Sequence, residues 1–96
     1  MIVGFADKGT EDIYNGVHSK DARRLPAHLH SLAFRKLVVL NNAQELRDML
    51  QSPGNWLEAL KGKLKGMHSI RVNDQWRIVF QWRSGNATSV AIMDYH

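Results

Sequence analysis

The feature that most constrains this chain is a change of hydrophobic period. From Leu57 onward, apolar residues recur every second position, in three runs: HSIRVN (68–73), WRIVFQW (76–82) and TSVAIMDY (88–95). Strict alternation places successive side chains on opposite faces of a strand. Trp76, Ile78, Phe80 and Trp82 therefore share one face, and Arg77, Val79 and Gln81 the other. For Ile70 and Val72 to join the apolar face, the first turn must have an odd number of residues, because a one-residue slip would exchange the faces. An Asn73-Asp74-Gln75 loop satisfies this, pairing Val72 with Trp76, Ile70 with Ile78 and Arg71 with Arg77; a five-residue loop would instead put Arg71 opposite Val79 on the same face. A Ser84-Gly85-Asn86 loop at the second turn pairs Arg83 with Ala87, Phe80 with Val90 and Ile78 with Ile92. Met93 then lies opposite Arg77, Tyr95 is its diagonal neighbour, and Asp94 lies opposite Trp76 on the other parity.

Ahead of these strands the pattern is helical. MIVGF (1–5) reads as a short strand, and residues 7–16 as a short helix with Asp7 or Thr10 as N-cap and Gly16 as stop. Residues 25–43 read as a longer helix, with Pro26 near its start. Leu29, Leu32, Ala33, Leu37 and Leu40 make its apolar stripe, interrupted by Lys36. Residues 43–50 add a further helical turn or two, closed by Pro53-Gly54. Helices grouped before antiparallel strands predict an α+β fold, with the helices covering one face of a small antiparallel sheet and the other face open.

At 96 residues the chain is one domain, 1–96. It has no cysteine, so neither a disulfide frame nor a thiolate metal site is available. No apolar run reaches the ~18 residues of a membrane span, and the first nine residues lack the cationic start of a secretory signal. A cytoplasmic protein without membrane contact is expected. The five histidines show no zinc-ligand spacing, and no metal or cofactor is expected.

A net charge of +4 tilts the partner toward polyanions. Arg71 beside Arg77 on the open face is a repulsive pair unless an anion sits between or above them, and the guanidinium fork fits phosphate. Solvated surface arginines are the plain alternative. Lys61, Lys63 and Lys65 alternate within LKGKLKG (60–66). If extended, they would present three ammonium groups on one side, able to track a nucleic-acid backbone or simply to blunt a sheet edge. Glu58 is either a solvated carboxylate or a proton acceptor at the rim of this face. Trp56, Trp76 and Trp82 could stack on bases; Trp76 and Trp82 fall on the helix-covered face and are expected in the core instead.

The segment LEALKGKLKGMHSIRVNDQWRIVFQW, followed by VAIMDYH, closely resembles the HigB-type branch of the RelE/ParE toxin superfamily, the plasmid-maintenance killer proteins. The match extends over nearly the whole chain. The resemblance implies a compact microbial RNase-like fold, cleavage of messenger RNA at the ribosomal decoding site, and inhibition by a helix-turn-helix antitoxin of HigA type. It carries the functional positions onto Lys61, Arg77, Asp94, Tyr95 and His96. Some members have histidine where this chain has Glu58, so either Glu58 takes that role or the tail transfers protons alone. The role of Arg71 rests on strand parity only. On this reading Arg77, with Arg71 and Lys61, stabilises charge on the phosphorane; His96 shuttles a proton; Tyr95 orients the 2′-hydroxyl or stacks on a base; and Asp94 anchors the tail. The alternatives are a non-enzymatic inhibitor of DNA gyrase, as in the ParE branch, and a basic nucleic-acid- or ribosome-binding module without catalysis.

Overall fold

The computed structural model describes residues 1–51 and 53–94. Two helices, α1 (Lys8–Asn15) and α2 (His30–Asn42), precede four strands, β1 (Glu58–Ala59), β2 (Met67–Arg71), β3 (Trp76–Arg83) and β4 (Asn86–Asp94). The strands form one antiparallel sheet in sequence order.

Helix α1 begins and ends where its side chains dictate. Asp7 is the N-cap, its carboxylate accepting the Thr10 backbone N–H at 2.7 Å, and Gly16 closes the helix in the left-handed region (φ 73°). Thr10 is buried and accepts the Ile92 backbone N–H at 2.9 Å, which fastens α1 to β4. Helix α2 is preceded by one tight helical turn, Ala27–Leu29, so the regular helix starts later than the sequence pattern suggests. Its stripe of Leu29, Ala33, Leu37 and Leu40 is buried against Ile70, Val72, Trp76, Ile78, Phe80, Val90 and Ile92 of the sheet. Lys36, the polar residue within the stripe, reaches past the core to donate to Asn55 Oδ1 at 2.6 Å. Burial, and secondarily Arg35, lowers its pKa below the usual lysine value.

The first strand turn has the expected register: Ile70 pairs with Ile78 and Arg71 with Arg77. Asn73 shapes the turn by accepting the backbone N–H groups of Gln75 (3.0 Å) and Trp76 (2.8 Å). The second turn differs from expectation. Ser84 and Gly85 alone form it, both at positive φ (50° and 81°), and Arg83 pairs with Asn86 rather than Ala87. A β-bulge follows, with Ser89 at φ 53°, and absorbs one residue of β4. Beyond it the pairing returns to Ile78 with Ile92, Arg77 with Met93 and Trp76 with Asp94. The two-residue turn matches strand twist better than a three-residue loop, and the bulge restores the faces.

The N-terminal segment is extended but is not a continuous strand. It meets β4 in parallel through two single bridges, Ile2 to Ala87 and Phe5 to Val90, on either side of the bulge. The two-residue strand β1 was not anticipated; it turns the meander into a four-stranded sheet.

Candidate nucleic-acid interface

Opposite the helices, register alone orders the side chains into cross-strand rows. Arg71, Arg77 and Met93 form one row. Glu58, Ser69, Val79 and Ala91 form the next. Trp56, two residues before β1, packs beside this row: the Arg71 guanidinium carbon lies 4.6 Å from the Trp56 ring centroid. The row Arg71, Arg77, Met93 crosses the sheet with the Trp56 indole against its Arg71 end and Glu58 on the same face one row along. The convergence of Arg71 and Arg77 expected from parity is present.

Other expectations change. The face is not bare: Ser69, Val79 and Ala91 are buried at its centre, and Leu60 is buried beside β1, all apart from the main core. Ser69 Oγ is buried with no hydrogen-bond partner among the described residues. The Arg71–Arg77 pair does not require an external anion, because Asp74 from the β2–β3 turn is ion-paired with Arg71. Lys61, Lys63 and Lys65 do not form an extended stripe. Gly62–Leu64 makes a tight helical turn, and Gly62 (φ 67°) and Gly66 (φ 93°) adopt conformations that break the alternation. All three lysines are exposed on the connection between β1 and β2, as a basic rim.

Glu58 is exposed and opposite Ser69. Asp94 is exposed, pairs with Trp76 and accepts from Gln75 Nε2 at 3.0 Å, at the edge of the sheet. Tyr95 and His96 lie outside the described residues. The histidines in view are elsewhere: His68 stacks on Phe80 on the helix side of the sheet, and His30 contacts the Leu25 carbonyl at 2.8 Å. Trp76 is in the core, and Trp82 packs against it, partly buried. Sequence reasoning kept Trp56 among the tryptophans that could stack on bases, but its contact with Arg71, and that of Asp74, escaped it. β1 is too short to show alternation, and Trp56 lies outside it at φ 47°, so no register argument from the sequence brings Trp56 beside Arg71.

An arginine row on a sheet face, a carboxylate one row away and lysines at the rim can hold a phosphodiester and accept a proton beside it. Comparison with known proteins bears on what such a surface belongs to. The profile of the HigB-like toxins, described as RelE-like toxins of the type II toxin–antitoxin system HigB, matches residues 3–96. The chain belongs to the HigB-like toxin family. Toxin HigB-1 of Vibrio cholerae serotype O1 is 44% identical over 87 residues, covering 91% of this chain and 90% of the relative. Endoribonuclease HigB of Proteus vulgaris is 30% identical over 101 residues, with both chains fully covered.

The fold of this HigB-like toxin is likewise that of solved toxins. The YoeB–YefM complex from Staphylococcus aureus superposes with a TM-score of 0.61 at 20% identity, covering 97% of this chain and 93% of that one. A YoeB/ParE toxin from Agrobacterium tumefaciens gives 0.55 at 17% identity, both chains fully covered. Among the described residues, no helix is long and apolar enough to cross a membrane.

Proposed function

We propose that this HigB-like toxin is a cytoplasmic endoribonuclease that cleaves messenger RNA in the decoding site of the translating ribosome, and that a helix-turn-helix antitoxin of HigA type holds it inactive. Its family is one of type II toxins, and the Proteus vulgaris relative is named an endoribonuclease. The observation that carries the reading is the Arg71–Arg77 pair, in register on the face away from the helices, with Glu58 on the same face.

The chemistry follows from those positions. Glu58 accepts the proton of a ribose 2′-hydroxyl, whose oxygen attacks the adjacent phosphorus. Arg77, with Arg71 and Lys61, stabilises the charge that builds on the phosphorane oxygens. The P–O5′ bond breaks, and His96 donates a proton to the departing 5′-oxygen. The products are a 2′,3′-cyclic phosphate and a 5′-hydroxyl. No metal takes part. Tyr95 orients the attacking ribose, Asp94 fastens the tail, and Lys63 and Lys65 engage flanking phosphates at the rim. Each proton transfer contributes about 10²–10⁴-fold. The ribosome supplies much of the substrate orientation, an effect that can be larger still.

The test is induction of the toxin in cells followed by mapping of message 5′ ends, with wild type, Arg77→Ala and His96→Ala compared. Purified toxin is assayed in parallel on naked and translated message. Cuts within translated codons that both substitutions abolish, with slow cutting of naked RNA, are expected. Equal rates on both substrates overturn the ribosome dependence, and unchanged cutting by Arg77→Ala overturns the site.

A further inference from the structure

Trp56 stands out among the exposed apolar side chains. It is 57% exposed, and its backbone sits in the left-handed region at φ 47°, where a bulky residue is uncommon. The residue before it is firmly held: Asn55 is buried, donates from Nδ2 to the Met49 carbonyl at 3.1 Å and accepts from Lys36 Nζ. The indole is thus displayed from an anchored point, with the Arg71 guanidinium 4.6 Å from its ring centroid. Arg71 is in turn the strand neighbour of Arg77. The indole therefore lies against the outer member of the arginine pair, beside any phosphate that the two guanidinium groups hold.

We infer that Trp56 is a nucleobase platform: one unpaired base of the RNA held on the arginine pair stacks on its exposed ring surface, with Arg71 bracing the ring by a cation–π contact. The inference rests on the RNA-cleaving reading above and adds a positioning residue to it. Every base has a π-face, so the platform fixes the place of a nucleotide without demanding its identity.

The experiment measures kcat/KM on ribosomes programmed with a synthetic message, for wild type and for Trp56→Ala, Trp56→Leu and Trp56→Phe. The message is either intact or abasic at one position at a time across the cut site. Circular dichroism confirms that each variant is folded. Trp56→Ala loses roughly ten- to a hundredfold on the intact message, the range of base–aromatic stacking, and Trp56→Leu loses as much. Trp56→Phe stays within about threefold. At one position, the abasic message slows wild type by the same factor and does not slow Trp56→Ala further. Independent losses at every position, or rescue by leucine as good as by phenylalanine, overturn the platform. Failure of wild type to cut the intact message defeats the RNA-cleaving reading itself. Normal cutting by Trp56→Ala with weakened antitoxin binding overturns only the platform and makes Trp56 a protein contact.

Discussion

Asp74 is ion-paired with Arg71 from a position three residues further along the chain, and the two partners differ sharply in exposure. The Asp74 side chain is 95% exposed and that of Arg71 22%. The carboxylate lies at the turn, where a bound phosphate would compete with it for the same guanidinium. Replacing Asp74 with asparagine removes the competitor and leaves the arginine in place. An exposed pair of this kind is worth about 0–1 kcal/mol. Asp74→Asn should therefore tighten binding to single-stranded RNA by up to about fivefold. The slope of log K against log salt should steepen by up to about one phosphate contact. Binding titrations at several salt concentrations check both.

The helix-covered face carries stability rather than chemistry. Leu37 is fully buried in the middle of the α2 stripe, in the core cluster with Ile78 and Phe80. Truncation to alanine removes three carbons and leaves a cavity that the sheet cannot close. Leu37→Ala should cost about 2–5 kcal/mol, read as a lower denaturation midpoint with an unchanged slope. Val39, 40% exposed on the same helix, should tolerate alanine with a change below about 1 kcal/mol.

These contrasts show what was legible in the sequence. Parity along WRIVFQW placed Arg71 and Arg77 on one face, because an apolar face fixes register against any one-residue slip; the choice of the three-residue turn over a five-residue one made them partners. The same argument named the wrong second turn. A three-residue loop and a two-residue loop plus a bulge give identical pairing beyond the bulge, and differ only near the turn, where Arg83 meets Asn86 and Ser84 and Ser89 take positive φ. The lysine run misled because alternation in sequence implies alternation in space only if the backbone stays extended, and glycines at 62 and 66 let it turn. Asp74 was read as a turn residue, which it is, while its reach back to Arg71 is a side-chain contact that no periodicity records.

Acid sensitivity should trace to Asp12, which lies away from the basic face. Its carboxylate is buried, accepts the Ser19 hydroxyl at 2.6 Å and pairs with Lys8 Nζ at 3.1 Å. The Ser19 hydrogen bond first, and the Lys8 interactions second, hold its pKa below the usual aspartate value. A depressed folded-state pKa means that the unfolded chain binds the proton first as pH falls. The stabilisation is present above the unfolded aspartate value, about pH 4, and is lost progressively below it. Asp48, held low by the backbone N–H groups of Glu45 and Gln44, adds to the same slope. Asp12→Asn should lower the melting temperature at neutral pH and flatten its decline as the pH falls below about 4. Melting curves in that range decide it. An unchanged acid limb would mean that the burial of Asp12 is not linked to protonation.

Glu58 offers the sharpest test of the proposed chemistry. It faces the same side as the arginines and pairs with Ser69 across the edge of the sheet. Glutamine keeps the size and polarity of the side chain but cannot accept the 2′-hydroxyl proton. Glu58→Gln should therefore lower kcat on translated message by about 10²–10⁴-fold, with little change in KM or melting temperature. Histidine can take a proton at neutral pH, so Glu58→His should recover a measurable part of the lost rate. A purely electrostatic role predicts instead that both variants cut at least as fast as wild type, because each removes the negative charge that repels the phosphate. Single-turnover rates of the two variants against wild type distinguish these outcomes, and a glutamine variant as fast as wild type would move the proton acceptor away from β1.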